Sequence, residues 1–154
     1  MSKSKPSIGD VIEITTQSGF AYAQVRFNHS DFGLVFQLFP GTFPKHLEKL
    51  DLILSQPPLY FFFLGKKDLS APPYTQYRGN HPVLGDQDSF PLFRTGLKNP
   101  QTGITENWWL WDGKSTWLIG PLADDQKNLS IRGMWDPKLL VNRIESGWRP
   151  SDER

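Results

Sequence analysis

The chain of 154 residues contains no cysteine. This absence excludes disulfide scaffolds, thiolate nucleophiles and cysteine-ligated metal centres, so the fold must rely on its own core. No apolar run follows the basic N-terminal residues, and no secretory signal is expected. The longest apolar run, residues 59–64, is too short to span a bilayer. We therefore expect a cytoplasmic protein that does not act in a membrane.

The sequence also lacks an excess of charge of either sign. It contains 17 Lys and Arg residues and 16 Asp and Glu residues, which gives a net charge of +1. Binding to nucleic acid usually requires a basic patch, which this interspersed pattern does not provide. With 38% apolar and 14% aromatic residues, the composition is that of a folded protein. We predict one β-rich domain over residues 8–150, with a disordered tail at 1–7 and a tail at 151–154.

Residues 107–120 hold two aromatic-rich runs joined by Asp-Gly, a pattern that predicts a β-hairpin. A two-residue loop would set Leu110 against Ser115, whereas a four-residue loop over 112–115 gives apolar partners nearly throughout. The predicted pairs are Trp111–Thr116, Leu110–Trp117, Trp109–Leu118 and Trp108–Ile119. Alternation then places Trp109, Trp111 and Leu118 on one face and Trp108, Leu110, Trp117 and Ile119 on the other. Both faces are apolar, so something must cover the second face.

The N-terminal part predicts a three-stranded meander over residues 11–16, 20–27 and 32–39, of the kind that opens SH3-like barrels. A short helix is predicted over 44–54, a buried strand over 59–64, a long loop over 65–89 and a strand over 90–94. Asp136 as N-cap, Pro137 and Gly147 predict a C-terminal helix over 137–146. We therefore expect an α+β, β-rich fold: an SH3-like barrel or a strongly bent antiparallel sheet with one short helix and a C-terminal helix.

Few residues offer catalytic chemistry. His29, His46 and His81 match no metal-binding or catalytic spacing, and no nucleophile elbow or phosphate-binding glycine loop occurs. We therefore expect neither a metal nor a cofactor. The pair Asp124-Asp125 is more typical of a helix start than of a catalytic dyad.

A protein-binding surface is the remaining hypothesis. Trp109 and Trp111, together with Arg94 and Arg132, could form an aromatic and guanidinium patch, and Trp and Arg are enriched at interface hot spots. The competing interpretation is that the C-terminal helix covers this face and makes it core. A third possibility is a Tudor-like aromatic cage for a methylated cation, built from Tyr22, Phe27 and tryptophans.

The rival class is a small enzyme, such as a hydrolase, with a site assembled by the fold. Its candidate residues are Asp10, Glu13, Arg94 and Asp112. Two carboxylates with raised pKa values in one pocket would favour an enzyme, whereas a shallow surface without convergent titratable groups would favour binding.

Residues 9–14, Gly-Asp-Val-Ile-Glu-Ile, and residues 19–25, Gly-Phe-Ala-Tyr-Ala-Gln-Val, resemble the start of the immunity protein 26 family. Members of this family are bacterial proteins that bind and neutralise toxins delivered between competing cells. The remainder, including residues 90–94 and 108–113, looks like small uncharacterised bacterial proteins. The resemblance implies a stoichiometric binder without turnover, whose partner is another protein.

These observations favour a non-catalytic protein-binding module, with toxin neutralisation as its specific form. The binding residues that we predict are Tyr22, Arg94, Trp109, Trp111 and Arg132, and the loop over 65–89 is a further candidate contact surface. The two alternatives are the small enzyme and a Tudor-like or SH3-like ligand-binding module.

Overall fold

The computed structural model describes residues 5–85 and 89–154. Its described part is β-rich, with nine strands in two sheets and no closed barrel, so the SH3-like barrel is not confirmed. No helix among the described residues is long and apolar enough to cross a membrane.

The first sheet contains five antiparallel strands in the order β4-β3-β2-β1-β5. The predicted meander is present as its three central strands. Alternation sends Ile12 and Ile14 of β1 to one face and Val11 and Glu13 to the other. The strand bounds are β1 Asp10–Thr16, β2 Gly19–His29, β3 Gly33–Leu38, β4 Tyr60–Leu64 and β5 Thr75–Asn80.

The loop predicted over 65–89 is largely wrong, because it contains β5 and a 3₁₀ helix at Lys66–Ser70. Residues 86–88 of that range lie outside the described residues. The sequence of β5 is mostly polar and includes Gly79, so it lacks the alternation of apolar and polar residues that predicts a strand. Pairing with β1 stabilises β5 at the edge of the sheet.

The second sheet has the order β8-β7-β6-β9 and contains the predicted hairpin. Its strands are β6 Phe93–Gly96, β7 Trp108–Trp111, β8 Thr116–Gly120 and β9 Ser130–Ile131. Three of the four predicted pairs are confirmed, but Trp108 pairs with Gly120 instead of Ile119 because the register shifts between Trp108 and Trp109. The strand predicted over 90–94 begins only at Phe93, after Pro91. β9 pairs with β6 in parallel.

The helices agree in part with the sequence. The C-terminal helix α2 spans Pro137–Ser146 as predicted, with the Asp136 side chain accepting a hydrogen bond from the Leu139 N–H at 2.8 Å and Gly147 ending it at a φ of 70°. The predicted helix over 44–54 is reduced to α1, Asp51–Leu54. Residues before it are held instead by side chains of the first sheet, described below.

The core has three parts. In one of them, Ile53 and Leu54 of α1 pack with Val11 and Tyr22 of the first sheet. α2 packs Leu140 and Val141 against the Ile12 face of the first sheet. Between the two sheets, Val35 and Phe63 pack with Phe93 and Trp111. Both sheets therefore share apolar contacts.

Both predicted tails make contacts where they are described. The Ser7 N–H donates to Asp10 Oδ2 at 2.9 Å, whereas residues 1–4 lie outside the described residues. At the other end, a 3₁₀ turn spans Pro150–Asp152, and Thr105 Oγ1 donates to the Arg154 carbonyl at 3.2 Å. Hydrogen bonds therefore connect the last residues to the rest of the chain, although Ser151, Asp152 and Arg154 are exposed, and the tail over 151–154 stays a prediction.

Candidate protein-binding surface

One face of the second sheet exposes large apolar side chains. Trp109 is 41% exposed, its cross-strand partner Leu118 is 55% exposed, and Leu97, just beyond β6, is 92% exposed. Together with Arg132 we call these residues the Trp109 surface. Small and polar residues surround them, and a groove of about 410 Å³ is lined by Thr95, Gly96, Leu97, Trp109, Thr116 and Arg132.

Trp109 also borders a second groove, of about 710 Å³, on the side of residues 97–101 and 106–107. Its indole and Leu97 therefore lie between two concavities. Apolar side chains flanked by grooves can be covered by a complementary surface, which is the geometry of interface hot spots.

Arg132 supplies the polar part of this surface. Its guanidinium carbon lies 4.9 Å from the centroid of the Phe32 ring and 5.2 Å from that of Trp111. In the described part of the chain, its guanidinium forms neither an ion pair nor a hydrogen bond. Two aromatic rings thus position a cation whose N–H donors remain available to an acceptor.

Trp111 does not belong to the exposed surface, although alternation places it on the same face as Trp109. It is only 3% exposed, because the five-stranded sheet covers it through Phe63. α2 packs on the opposite side of that first sheet, so the interpretation in which the helix covers Trp109 and Trp111 is wrong. Trp111 contributes by supporting Arg132.

Arg94 is not a binding residue on this surface either. It pairs with Leu110, lies on the opposite face of the sheet and is fully buried, with its guanidinium carbon 4.3 Å from the Trp108 ring centroid. Its Nη2 donates to the carbonyls of Lys127, Pro150 and Glu153, while Nε and Nη1 find no partner among the described residues. Burial lowers the pKa of Arg94. Its role is to hold the C-terminal segment.

Tyr22 is not part of this surface and lies in a buried polar cluster on the first sheet that the sequence did not reveal. Its hydroxyl donates to Glu13 Oε2 at 2.6 Å and accepts from the Leu47 N–H at 2.8 Å. Glu13, 1% exposed, also accepts from Arg78 Nη1 at 2.5 Å. Burial, followed by the hydrogen bond to Glu13, raises the pKa of Tyr22.

His46 completes the cluster at the protein surface. Its Nδ1 lies 2.5 Å from Glu13 Oε1, and its ring stacks on Phe20 with the centroids 4.0 Å apart. The carboxylate orients the imidazole, and Nε2 has no partner among the described residues. Arg78 Nη2 also donates to the Leu47 carbonyl. The cluster therefore anchors residues 46–47 on the sheet, where the helix was predicted.

The four residues proposed for an enzymatic site are not brought together. Asp10 and Glu13 lie on β1, whereas Arg94 is buried in the second sheet. Asp112 Oδ1 accepts from the Ser115 and Lys114 N–H groups at 2.8 and 2.9 Å, and these bonds lower its pKa. Among the residues that the structure describes, no group of three His, Asp or Glu side chains could hold a metal ion.

No family model, no curated protein and no solved structure matches this chain.

Proposed function

We propose that this protein is a non-catalytic protein-binding module and that the Trp109 surface is where it binds. The observation that carries the proposal is the 41% exposure of an indole between two grooves, beside the exposed Leu97 and Leu118. Large contiguous apolar patches are rare on monomers, and those rimmed by polar residues mark interaction sites. Trp and Arg in one patch are the residue types that dominate interface energetics.

The partner would complement this chemistry in two ways. An apolar side chain would cover Trp109 and Leu118, and a carboxylate would accept from the guanidinium of Arg132. Because Phe32 and Trp111 already hold that guanidinium in place, little side-chain entropy is lost when the pair forms. The bidentate geometry would add orientation to the binding.

The specific form that we propose is neutralisation of a bacterial toxin by stoichiometric binding in the cytoplasm. Support comes from the resemblance of residues 9–14 and 19–25 to the immunity protein 26 family. These residues form β1 and the first part of β2, which are buried in the first sheet, so the likeness concerns the scaffold rather than the Trp109 surface.

The test uses the protein encoded beside this gene as the candidate toxin. Isothermal titration calorimetry of the two purified proteins should show a one-to-one complex. The Trp109→Ala variant should bind about 30-fold more weakly, which corresponds to roughly 2 kcal/mol. Arg132→Gln should weaken binding in the same direction. The control is Leu52→Ala, because Leu52 is 79% exposed on α1, outside the proposed surface.

A complex of unchanged affinity in both Trp109→Ala and Arg132→Gln would place the binding site elsewhere. Absence of any complex with the neighbouring protein would count against toxin neutralisation. In that case, growth protection in cells that express both proteins would also be absent.

A second candidate function is a small hydrolase centred on His46. The observation that favours it is the buried carboxylate of Glu13 behind an imidazole that is 63% exposed, an arrangement that fixes the tautomer of a general base. Hydrolysis of p-nitrophenyl acetate and bis-p-nitrophenyl phosphate tests it. Turnover that His46→Asn abolishes would favour the enzyme, and turnover unchanged in that variant would exclude His46 as its base.

The Tudor-like module receives less support from the geometry. Phe32 and Trp111 are in edge-to-face contact, and the aromatic surface that a methylated cation would contact is already covered by the chain's own Arg132. Tyr22 and Phe27 do not join it, because the Tyr22 hydroxyl is engaged with Glu13 and Phe27 packs on Phe90.

A further inference from the structure

β8 is the outer strand of the second sheet, and its outward edge is open. Within the described parts of the chain, Thr116, Trp117, Leu118 and Gly120 have partners on β7, the register shift leaves Ile119 without one, and residues 116–120 make no other hydrogen bond. The edge of β4 is closed by comparison, since the Phe61 N–H donates to Ser130 Oγ at 2.8 Å and the Trp135 N–H donates to the Phe63 carbonyl at 3.0 Å. An open edge is a template for pairing with another strand.

The side chains of β8 restrict which strand can be added. Trp117 is 40% exposed and Leu118 is 55% exposed, and they point to opposite faces of the sheet. Residues 116–120 carry no charge, whereas exposed edges normally use charged residues to prevent pairing. An added strand must therefore be uncharged and apolar on both faces.

We propose that β8 pairs antiparallel with β8 of a second copy of this chain. A two-fold axis through Leu118 sets Leu118 opposite Leu118, Trp117 opposite Ile119 and Thr116 opposite Gly120. Each strand is then the uncharged, apolar strand that its partner requires. Such self-complementarity is the property of an isologous interface. The pairing creates one continuous eight-stranded sheet.

The side chains on both faces agree with this register. On one face, the cross-strand pair Trp109–Leu118 continues into Leu118–Trp109 of the second copy, forming one apolar row across four strands. On the other face, Trp117 of each copy lies against Ile119 of the other, and Ile119 is the residue that the register shift leaves without a partner on β7. The two-fold axis is perpendicular to the sheet, so the two copies of the Trp109 surface face the same side of the joined sheet, and Arg132 lies outside β8 in both.

The first test is the mass of the intact chain in solution, measured by multi-angle light scattering over a concentration series. We expect twice the 17.7 kDa of one chain at high concentration. Leu118→Lys should shift the protein to monomer, because it places two lysines opposite each other at the two-fold axis. Leu52→Lys is the matched control for an added charge and should remain a dimer. Only monomer at every concentration, or a dimer unaffected by Leu118→Lys, would overturn the proposal.

The second test uses the absence of cysteine and does not depend on the lysine variant folding. Residues opposite each other in antiparallel strands have Cα atoms about 4.5–5.5 Å apart, within the range that a disulfide bridges. Leu118→Cys should therefore form a covalent dimer on mild oxidation, whereas Leu52→Cys should not. A monomeric Leu118→Cys after oxidation would contradict the register. Arg132→Gln should leave the dimer unchanged, which separates this result from failure of the proposed partner binding.

Discussion

Glu13 is a carboxylate buried in the centre of a sheet, and three donors offset its loss of water. Tyr22, Arg78 and His46 all donate to it. Removing one member of a buried charged group leaves the others without a partner in a medium of low dielectric constant. The stability of this region therefore depends on the whole cluster.

We predict that Glu13→Ala lowers the free energy of unfolding by about 3–5 kcal/mol. Urea denaturation followed by circular dichroism measures the loss. Glu106→Ala is the matched control, because Glu106 is exposed, and it should change stability by less than about 0.5 kcal/mol. A loss below about 1 kcal/mol for Glu13→Ala would show that the cluster contributes little.

Tyr60 is a second buried polar residue, and its hydroxyl has no hydrogen-bond partner among the described residues. Burial raises the pKa of Tyr60 from 10.0 to about 12. The raised pKa favours the neutral form in the fold. The contribution of neutral Tyr60 to the free energy of unfolding is fully present below pH 10. It is lost as the pH rises to about 12, because Tyr60 ionises at lower pH in the unfolded chain than in the folded protein.

We predict that Tyr60→Phe removes this part of the alkaline destabilisation. The shift from 10.0 to about 12 corresponds to roughly 2–3 kcal/mol between these two pH values. Urea denaturation of both proteins from neutral pH upward measures the difference in unfolding free energy. Below pH 10 the difference should be constant and small, because no hydrogen bond is lost. Parallel curves up to pH 12 would contradict the prediction.

Among the elements, the turn between β7 and β8 depends on one glycine. Gly113 has a φ of 96°, and a Cβ built on it would lie 2.8 Å from Cδ1 of Phe90. Its carbonyl accepts a hydrogen bond from His29 Nε2 at 2.7 Å, which joins the turn to the first sheet. Both the backbone conformation and the close approach require glycine.

We predict that Gly113→Ala destabilises the protein by about 2–4 kcal/mol, through backbone strain and through displacement of the Phe90 ring. The matched control is Gly103→Ala, since Gly103 also has a positive φ, 71°, but a Cβ added there would meet no described atom within 4 Å. That control should cost only about 1 kcal/mol. Equal losses in thermal or urea unfolding would mean that the Phe90 contact is unimportant.

Local signals decided which elements the sequence could predict. The hairpin register followed from cross-strand apolar pairs, and α2 followed from Asp136, Pro137 and Gly147. β5 was missed because its polar sequence forms a strand only by pairing with β1. The first predicted helix is shortened because the buried cluster holds Leu47 through both its N–H and its carbonyl.

The sequence predicted the residue types of the candidate site, but it did not predict which of their side chains are buried. Alternation correctly grouped Trp109 with Trp111, yet it could not show that the first sheet covers only Trp111. Arg94 was assigned to the surface because its pairing with Leu110, and thus its face, depends on a strand distant in sequence. The sequence places Glu13 among the candidate enzymatic residues, but it does not predict its actual partners, because these come from residues 46 and 78.

At the scale of the whole molecule, the two sheets are linked through shared aromatic contacts. The Phe63 ring centroid lies 5.2 Å from that of Phe93 and 6.1 Å from that of Trp111, so one residue of β4 contacts two strands of the second sheet. Ser130 of β9 also bonds to β4 through the Phe61 N–H. Loosening either sheet would expose the apolar side chains of the other.

We therefore predict that both sheets unfold in one cooperative step. Far-UV circular dichroism reports on both sheets, whereas fluorescence weights the second sheet, because Trp108, Trp109, Trp111 and Trp117 lie there. The two urea transitions should coincide. Phe63→Ala should lower the unfolding free energy by about 3–5 kcal/mol and shift both transitions together, because its ring is buried between the sheets. Leu52→Ala should leave both midpoints unchanged, since Leu52 is exposed. A fluorescence transition at lower urea than the dichroism transition would show instead that the second sheet unfolds independently, and the shared aromatic contacts would then be too weak to couple the two sheets.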